Sequence, residues 1–208
     1  MIKKLLEELS KGKAPGPFPS FSVLHLIKAL ELMAMKGPIG RGRLSKELKI
    51  GEGATRTLIN RLKDAKIIIA TKPGCSLTKK GEEIWKKLQS IFPRKVKLEK
   101  SELTLAPYDI AILVRSCGHK VGSGMRQRDA AVMAGAEGVT TLIFRNQKLI
   151  LPTISEDIAQ NFPIAFNQIS GLLELKENDA VVVSSAETLE KAEYGALAAA
   201  MTLINNSD

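Results

Sequence analysis

The fold of the first half of the chain is decided by Gly53-Ala-Thr-Arg-Thr-Leu-Ile-Asn-Arg-Leu-Lys-Asp-Ala65. At helical spacing, the apolar side chains of this stretch fall on one side, at Leu58, Ile59, Leu62 and Ala65. The remaining side carries hydroxyl, amide and cationic groups, on Thr55, Arg56, Asn60, Arg61 and Lys63. Such groups hydrogen-bond to base edges and to phosphates. The stretch predicts a helix that presents a polar side to nucleic acid.

A shorter helix is predicted immediately upstream, over Leu44-Ser-Lys-Glu-Leu-Lys-Ile50, and Gly51-Glu-Gly53 supplies a tight turn between the two. This spacing is typical of a helix-turn-helix, whose second helix reads the major groove. The expected base contacts come from Thr55, Arg56 and Asn60. The expected phosphate contacts come from Arg41, Arg43, Arg61, Lys63 and Lys72. Arg41 and Arg43 flank the first helix and can equally be ordinary solvated arginines.

A hairpin and a further helix are predicted next. Ile67-Ile-Ile-Ala70 is a β-branched run, Lys72-Pro-Gly-Cys75 is turn chemistry, and Ser76-Leu-Thr78 is the return strand. Thr78 can then cap a helix that runs through Ile84, Trp85 and Leu88.

Helix, turn, helix, hairpin, helix resembles the winged helix-turn-helix family. The resemblance covers residues 20–90, and its frame is carried by Leu44, Ser45, Leu48, Leu77, Thr78 and Gly81. It implies an N-terminal domain of the all-α type that binds double-stranded DNA. The predicted wing is very short, which argues against a deep contact in the minor groove.

The residues before this motif add a docked segment and a central helix. Residues 2–9 are amphipathic but too short to be stable alone, so they must either pack on something else or fray. Pro15, Pro17 and Pro19 predict a stiff connector. Residues 21–35 are apolar on nearly all sides, which predicts a buried helix. His25 within it is expected to be structural.

The charge distribution indicates two domains. The chain has 208 residues and a formal net charge of +9. Residues 1–100 contain 23 basic and 9 acidic residues, whereas residues 101–208 contain 8 basic and 13 acidic residues. A basic half indicates a polyanionic partner. We expect a DNA-binding domain over residues 1–92, a linker over residues 93–107 and a second domain over residues 108–208. Val96 and Leu98 also allow the linker segment to be a strand.

The second half predicts strand, helix, hairpin, helix, strand, helix. The strands are expected at residues 109–114, 139–144, 148–151 and 180–183, and the last helix at residues 186–204. Because the hairpin is antiparallel, we expect a two-layer α/β sandwich with a mainly antiparallel sheet and helices on one face. The chain as a whole is predicted to be α+β. This domain would dimerise, sense a ligand, or both.

A glycine-rich loop leads into a helix within this domain, from Arg115 to Asp129. Free N–H groups and the helix dipole at such a helix start favour an anion. The candidate residues for a small anionic metabolite are Arg115, His119, Lys120, Gly122, Ser123, Gly124, Arg126 and Arg128. The spacing matches neither common phosphate-binding fingerprint. A long surface loop in which arginines pair with the carboxylates of Asp129 or Glu137 explains the same residues.

Catalysis, metal binding and membrane insertion are not indicated. Cys117 and His119 offer too few ligands for zinc, and Ser184-Ser185 has no nearby histidine. Cys75 and Cys117 lie in different predicted domains, so no disulfide framework is expected. The N-terminal residues turn acidic before any long apolar run. We therefore expect a soluble, cytoplasmic protein without a cofactor, and not an enzyme.

The whole chain resembles a small group of uncharacterised archaeal proteins that pair a winged helix with a compact α+β domain. The resemblance is carried by the helix-turn-helix and by Gly122-Ser-Gly-Met-Arg-Gln-Arg-Asp-Ala-Ala131, followed by Gly135 and Gly138. It implies transcriptional regulation, and a homodimer is expected because one such domain reads few base pairs. Two alternatives stay open: an enzyme of nucleotide or cofactor metabolism fused to a DNA-binding domain, and a winged helix that docks RNA or protein.

Overall fold

The computed structural model describes residues 2–12 and 19–204. The chain divides into two compact units, one up to Leu88 and one from Gln89 onward. The predicted connector at Pro15 and Pro17 lies outside the described residues. None of the helices formed by the described residues combines the length and the apolar character that a membrane crossing needs.

Helices and one hairpin build the first unit. In chain order they are α1 (Ile2–Ser10), α2 (Val23–Lys36), α3 (Arg41–Leu48), α4 (Glu52–Asp64), β1 (Ile68–Thr71), β2 (Gly74–Leu77) and α5 (Lys79–Ile91), inside which the division between the units falls. The predicted order of helix, helix, hairpin and helix is present. The helix expected over residues 44–50 begins earlier, so Arg41 and Arg43 lie within α3 rather than in front of it.

Local hydrogen bonds set where these helices begin. The Ser22 hydroxyl accepts from the Leu24 N–H at 3.3 Å, and Nδ1 of His25 accepts from the Ser22 N–H at 3.0 Å. This reciprocal pair starts α2 and makes His25 a structural residue, as its place in the apolar helix predicts. Thr78 Oγ1 accepts from the Gly81 N–H at 3.2 Å at the start of α5. The predicted cap at Thr78 is confirmed.

The core of the first unit is formed by leucines from each of its longer helices. They are fully buried, and they include Leu26, Leu30, Leu44, Leu48, Leu58, Leu62 and Leu88. Each such burial stabilises the fold by about 1.5–3 kcal/mol. Gly81 lets α5 approach β1, because a Cβ there would lie 2.2 Å from the carbonyl oxygen of Ile67.

Helix α1 is docked on this core, as its amphipathic pattern predicts. Ile2 and Leu6 are buried. The end of α1 is also held from a distance in sequence, since Arg61 Nη1 donates to the carbonyl oxygens of Leu9 at 2.8 Å and Lys11 at 2.5 Å. Of the two outcomes that the sequence leaves open, packing and fraying, the segment shows packing.

The second unit is built around a five-stranded sheet. Its elements are β3 (Arg94–Leu98), β4 (Tyr108–Val114), a 3-10 turn (Gly118–Lys120), α6 (Met125–Met133), β5 (Gly138–Arg145), β6 (Lys148–Ile150), α7 (Ile158–Asn161), α8 (Pro163–Leu172), β7 (Ala180–Ala186) and α9 (Leu189–Met201). The strand order is β3-β4-β7-β5-β6, and every neighbouring pair is antiparallel. The α+β class and the antiparallel sheet therefore agree with the sequence prediction.

Both faces of this sheet are covered by helices, so the predicted two-layer arrangement is wrong. Leu113 and Val183 belong to a buried cluster that includes Ala165 and Ile169 of α8. Ser184, the next residue of β7, points to the opposite face. There a Cβ added to Gly195 of α9 would lie 2.5 Å from the Ser184 oxygen. Strand β7 is buried along its entire length, which is typical of a strand covered on both sides.

The segment predicted as a linker contributes to the second unit. Residues 94–98 form β3, which pairs with β4 at the edge of the sheet, and Leu98 is buried. Farther along the same segment, the Glu102 carboxylate accepts from the N–H groups of Ile164 and Ala165 at the start of α8, both at 3.0 Å. The second unit therefore begins at Gln89 and does not contain a free linker over residues 93–107.

Candidate nucleic-acid interface

The outer face of α4 is the leading candidate for contact with nucleic acid. Arg56, Thr57, Asn60 and Lys63 are exposed at positions that recur along one side of the helix. Leu58, Ile59 and Leu62, on the other side, are buried. Within the described chain, the side chains of Arg56 and Asn60 make no hydrogen bond or ion pair. The helix thus presents guanidinium, hydroxyl, amide and ammonium groups on a single surface.

Thr55 and Arg61 are not part of that surface, which corrects two predicted contacts. Thr55 is fully buried, and its hydroxyl donates to the Gly51 carbonyl at 3.1 Å. It lies three residues before Leu58, so helical spacing places it beside the apolar face. Arg61 is 9% exposed, lies 5.3 Å from the ring centre of Phe21 and is occupied by backbone carbonyls near the end of α1.

Arg41 and Arg43 remain exposed on α3. Arg41 Nη2 lies 4.0 Å from Glu52 Oε2, at the start of α4. Arg43 Nε lies 3.7 Å from Glu47 Oε1. Exposed pairs of this kind contribute at most about 1 kcal/mol. Both guanidinium groups can therefore exchange a weak internal partner for a phosphate.

The carboxylate of Glu47 is an acidic group within this basic surface. Lys36 Nζ donates to Glu47 Oε1 at 2.7 Å. This hydrogen bond, together with the positive charges of Lys36 and Arg43, lowers the pKa of Glu47 below its ordinary value. The carboxylate therefore stays ionised at neutral pH and offsets part of the local positive charge.

Lys72 lies in the two-residue turn of the β1–β2 hairpin. It is exposed, and the turn is closed by the Thr71 hydroxyl, which donates to the Gly74 carbonyl at 3.0 Å. Both strands have four residues, so the hairpin is short, as the sequence predicts. Lys72 is available to a phosphate, whereas the hairpin offers little length for insertion into a groove.

Arg115, at the start of the glycine-rich loop of the second unit, does not have the ligand-binding role predicted for it. Arg115 Nη1 lies 2.5 Å from Oδ2 of Asp179, which is fully buried. The same carboxylate accepts from the N–H groups of Ser116 at 3.0 Å and Lys176 at 2.7 Å. Arg115 therefore neutralises a buried aspartate and is not available to a ligand. The alternative of an arginine–carboxylate pair is correct in kind for Arg115, but the partner is Asp179 and not Asp129 or Glu137.

His119 is anchored to the same segment. The backbone N–H of His119 donates to Asn178 Oδ1 at 2.8 Å, and Asn178 Nδ2 lies 3.0 Å from Nδ1 of the imidazole. An amide nitrogen only donates, so Nδ1 is the acceptor and the ring proton is placed on Nε2. The ring is exposed.

The other predicted ligand contacts follow along the chain. Lys120 and Gly124 are half-buried, and the exposed ones are Gly122, Ser123, Arg126 and Arg128. Arg126 and Arg128 lie in the first turns of α6, whose preceding residue Gly124 has a φ of 84°. Apart from Arg115, most of the residues predicted to bind a ligand thus lie near the start of α6.

A cavity of about 530 Å³ lies elsewhere in the second unit, beside α8. Phe144, Phe166 and Leu173 line it, together with Arg94 and Glu174. The guanidinium of Arg94 lies 3.9 Å from the Glu174 carboxylate. The cavity therefore presents opposite charges beside apolar side chains and does not select a ligand of one sign.

Groups suited to metal binding or nucleophilic catalysis do not cluster in the described ranges. No set of three or more His, Cys, Asp or Glu side chains there could hold a metal ion. Asp109 is buried and accepts from the hydroxyls of Ser185 and Thr104, which fastens the ends of neighbouring strands. Cys75 and Cys117 are buried and carry thiols rather than a disulfide, and burial raises the pKa of Cys75.

Comparison with known proteins divides the chain in the same way. Residues 26–83 match the family described as PH0730-like, N-terminal domain, and residues 105–203 match a domain of unknown function, DUF4443. A solved structure is described as hypothetical protein PH0730 from Pyrococcus horikoshii OT3. It is 26% identical, with a TM-score of 0.67, and the match covers 87% of this chain and 91% of that chain. The chain is similar to an archaeal protein. No curated protein matches it.

Two residues of these sites were missed by sequence reasoning. Thr57 belongs to the exposed face of α4, and its spacing of one residue from Arg56 and three from Asn60 could have identified it. Asp179 is the partner of Arg115 but lies 64 residues away in sequence. Only the pairing of distant strands brings the two together, so no local pattern could have predicted it.

Proposed function

We propose that this chain is a sequence-specific transcriptional regulator that binds double-stranded DNA. In this proposal the first unit is a winged helix-turn-helix, and α4 lies in the major groove. Arg56, Thr57 and Asn60 contact base edges, where guanidinium and amide groups discriminate between base pairs. The phosphate contacts come from Arg41, Arg43, Lys63 and Lys72. The exposed polar face of α4, opposite its buried apolar face, is the observation that carries the proposal.

The charge of the chain supports a polyanionic partner. The basic residues are concentrated in residues 1–100, where they outnumber acidic residues by 23 to 9. A duplex binds such a surface partly by releasing condensed counterions, so affinity falls steeply as salt is raised. The charge alone suits RNA equally well, whereas a single helix face with base-reading groups favours the major groove of DNA.

We further propose that the regulator acts as a homodimer. One recognition helix reads only a few base pairs, and a two-fold protein on a palindromic site doubles the contacts. Light scattering on the full chain, alone and with its selected duplex, gives the stoichiometry. Two chains for each duplex are expected, and one chain for each duplex at saturation contradicts the dimer but leaves DNA binding intact.

Selection from a pool of genomic fragments tests the function directly. The full chain is incubated with the pool at moderate salt, and the recovered duplexes are compared with random duplex and with RNA of matched length. Enrichment of a common sequence, bound more tightly than random duplex, is the expected result. Equal binding to all duplexes contradicts a sequence-specific regulator, and tighter binding to RNA contradicts duplex recognition.

Arg56→Ala tests whether the exposed polar face of α4 contacts base edges. It should weaken binding to the selected duplex by about 1–3 kcal/mol, because a guanidinium contact to a base edge is lost. Binding to random duplex should change less. The matched control is Arg145→Ala, which removes an exposed arginine from the second unit. Equal losses for Arg56→Ala on selected and random duplexes would reduce Arg56 to a phosphate contact.

A further inference from the structure

The cavity beside α8 has the size and the mixed lining of a site for a small molecule. Its volume of about 530 Å³ lies within the range of ligand-binding clefts, about 300–1,000 Å³. Such clefts combine apolar side chains with a few polar groups that orient the ligand. Here Phe144, Phe166 and Leu173 supply apolar lining, and Arg94 and Glu174 supply charges of opposite sign.

The apolar lining is held in place by the core of the second unit. Phe144 of β5, Phe166 of α8 and Leu175 just after α8 are half-buried. All three pack against the buried cluster that joins the sheet to α8. Because the core already holds these side chains, a ligand would not have to order them, and little conformational entropy is lost on binding. The cavity is therefore preformed on its apolar side.

The two charged groups are available to a ligand. The guanidinium of Arg94 lies 3.9 Å from the Glu174 carboxylate, and the two side chains are 58% and 81% exposed. This separation exceeds the length of a charged hydrogen bond, about 2.7–2.9 Å. An exposed pair of this kind contributes little to stability. A molecule that carries both a negative and a positive group can therefore take the place of the internal pair.

The backbone that carries Glu174 is fixed although its side chain is exposed. Arg115 Nη1 donates to the Glu174 carbonyl oxygen at 3.0 Å, and Arg115 is itself bound to the buried Asp179. The Leu175 N–H donates to the Leu173 carbonyl oxygen at 3.0 Å, which turns the chain sharply after α8. The carboxylate of Glu174 therefore projects from a defined position beside the cavity.

The end of α8 adds a second feature that favours a positive group. Ser170, Gly171 and Leu172, in its last turn, line the cavity. The last carbonyl groups of a helix have no donor within the helix, and these three accept no hydrogen bond within the described chain. The negative end of the helix dipole lies at the same place. An ammonium group there would gain carbonyl acceptors as well as the Glu174 carboxylate.

We propose that this cavity binds a free α-amino acid with an apolar side chain. Arg94 binds the carboxylate of the amino acid, for which a guanidinium offers two parallel donors. Glu174 and the end of α8 bind its ammonium group, and its side chain packs against Phe144 and Phe166. Arg94 and Glu174 are close together, which suits the neighbouring charges of an α-amino acid better than the distant termini of a peptide. The site lies in the second unit and does not depend on the proposed binding of DNA.

L-Leucine is the first probe, titrated into the full chain while backbone amide resonances are followed by NMR. Saturable shifts are expected for the amides of Gln147 and of residues 170–175, which border the cavity. Two analogues each lack one charge: 4-methylpentanoic acid has no ammonium group, and 3-methylbutylamine has no carboxylate. Each should bind about tenfold more weakly than leucine, because one charged hydrogen bond is lost. Shifts that do not saturate, or an analogue that binds as tightly as leucine, would overturn the proposal.

Charge variants assign the two ends of the ligand. Arg94→Gln and Glu174→Gln should each weaken leucine binding about tenfold. Arg94→Gln should leave the affinity for 3-methylbutylamine unchanged, and Glu174→Gln should leave the affinity for 4-methylpentanoic acid unchanged. Both side chains are exposed, so the midpoint of thermal unfolding should stay that of the wild type. The matched control is Arg128→Gln, at an exposed arginine of α6 that does not line the cavity. Leucine affinity that is the same in all these proteins would overturn the proposal.

Glycine and the dipeptide leucyl-leucine test the class of ligand under the same conditions. Glycine carries both charges but no side chain, so it should bind more weakly than leucine by about tenfold or more. The dipeptide carries its charges farther apart and should also bind more weakly. Glycine that binds as tightly as leucine would show that the apolar lining is not used. A dipeptide that binds more tightly would assign the cavity to peptides, and either result would overturn the proposal.

Discussion

The guanidinium of Arg61, in the last turn of α4, donates to the carbonyl oxygen of Leu9 at the end of α1, at 2.8 Å. The two residues are 52 positions apart, so this bond ties the first helix to the core of its unit. Arg61, which the sequence predicts to contact phosphate, therefore stabilises the fold instead.

Arg61→Ala should destabilise the protein without removing a DNA contact. Two backbone carbonyls lose a charged donor in a buried position, which should lower the free energy of unfolding by about 2–4 kcal/mol. Urea denaturation of the full chain measures this loss. Duplex affinity, measured where the variant is fully folded, should stay within about twofold of the wild type. A stable variant with much weaker DNA binding would show that Arg61 leaves its carbonyls to reach phosphate.

Gly53→Ala should make the protein more stable and its DNA binding weaker. Nothing lies within 4 Å of a Cβ placed at Gly53, so alanine should gain about 1 kcal/mol from its helix propensity. The start of a recognition helix lies against the duplex, where an added methyl group should reduce affinity about fivefold. Gly171→Ala, at an equally open position in α8, is the control for stability alone. An unchanged duplex affinity for Gly53→Ala would place the start of α4 away from DNA.

Arg115→Ala should be destabilising, whereas Arg128→Ala should not. Removing Arg115 leaves the buried Asp179 carboxylate with backbone donors only, at a loss of about 2–3 kcal/mol because Arg115 itself is partly exposed. Arg128 is exposed, and its removal should change stability by less than about 0.5 kcal/mol. Thermal unfolding of both variants gives the comparison. Equal stability of the two would show that the Arg115–Asp179 pair contributes little.

His25 should make stability depend on pH below neutrality. Burial lowers the pKa of His25, and Nδ1 must be unprotonated to accept from the Ser22 N–H. With a lowered folded-state pKa, this contribution is present above the unfolded value of about 6.5 and is lost as the pH falls through the folded value. The stability difference between the wild type and His25→Gln should therefore shrink between about pH 7 and pH 5. A difference that is constant with pH contradicts this assignment.

The sequence predicts local elements well, because their signals are local. The apolar spacing of Leu58, Ile59 and Leu62 gives α4 its buried face, and Thr78 gives the start of α5. Thr55 is predicted on the wrong face because its polarity is given more weight than its helical position. The role of Arg61 depends on Leu9 of α1, 52 residues away in sequence, which no local pattern reveals.

The arrangement of helices and sheet in the second unit was also predicted only in part. The run Ala180-Val-Val-Val183 has no polar alternation, which is typical of a strand covered on both faces. That signal was available, yet the predicted hairpin favoured helices on one face only. The pairing of β3 with β4 and the burial of Asp179 depend on contacts between distant segments. Such contacts follow from the packed fold and are not visible in the spacing of neighbouring residues.

The salt dependence of duplex binding tests the central claim, that the polar face of α4 contacts DNA. Dissociation constants of the wild type, Lys63→Ala and Arg145→Ala are measured across a salt series on the selected duplex. Each phosphate contact contributes about 0.9 to the slope of log affinity against log salt. The account predicts a slope shallower by about 1 for Lys63→Ala, and a slope for Arg145→Ala equal to that of the wild type. The same slope for all three proteins would contradict it.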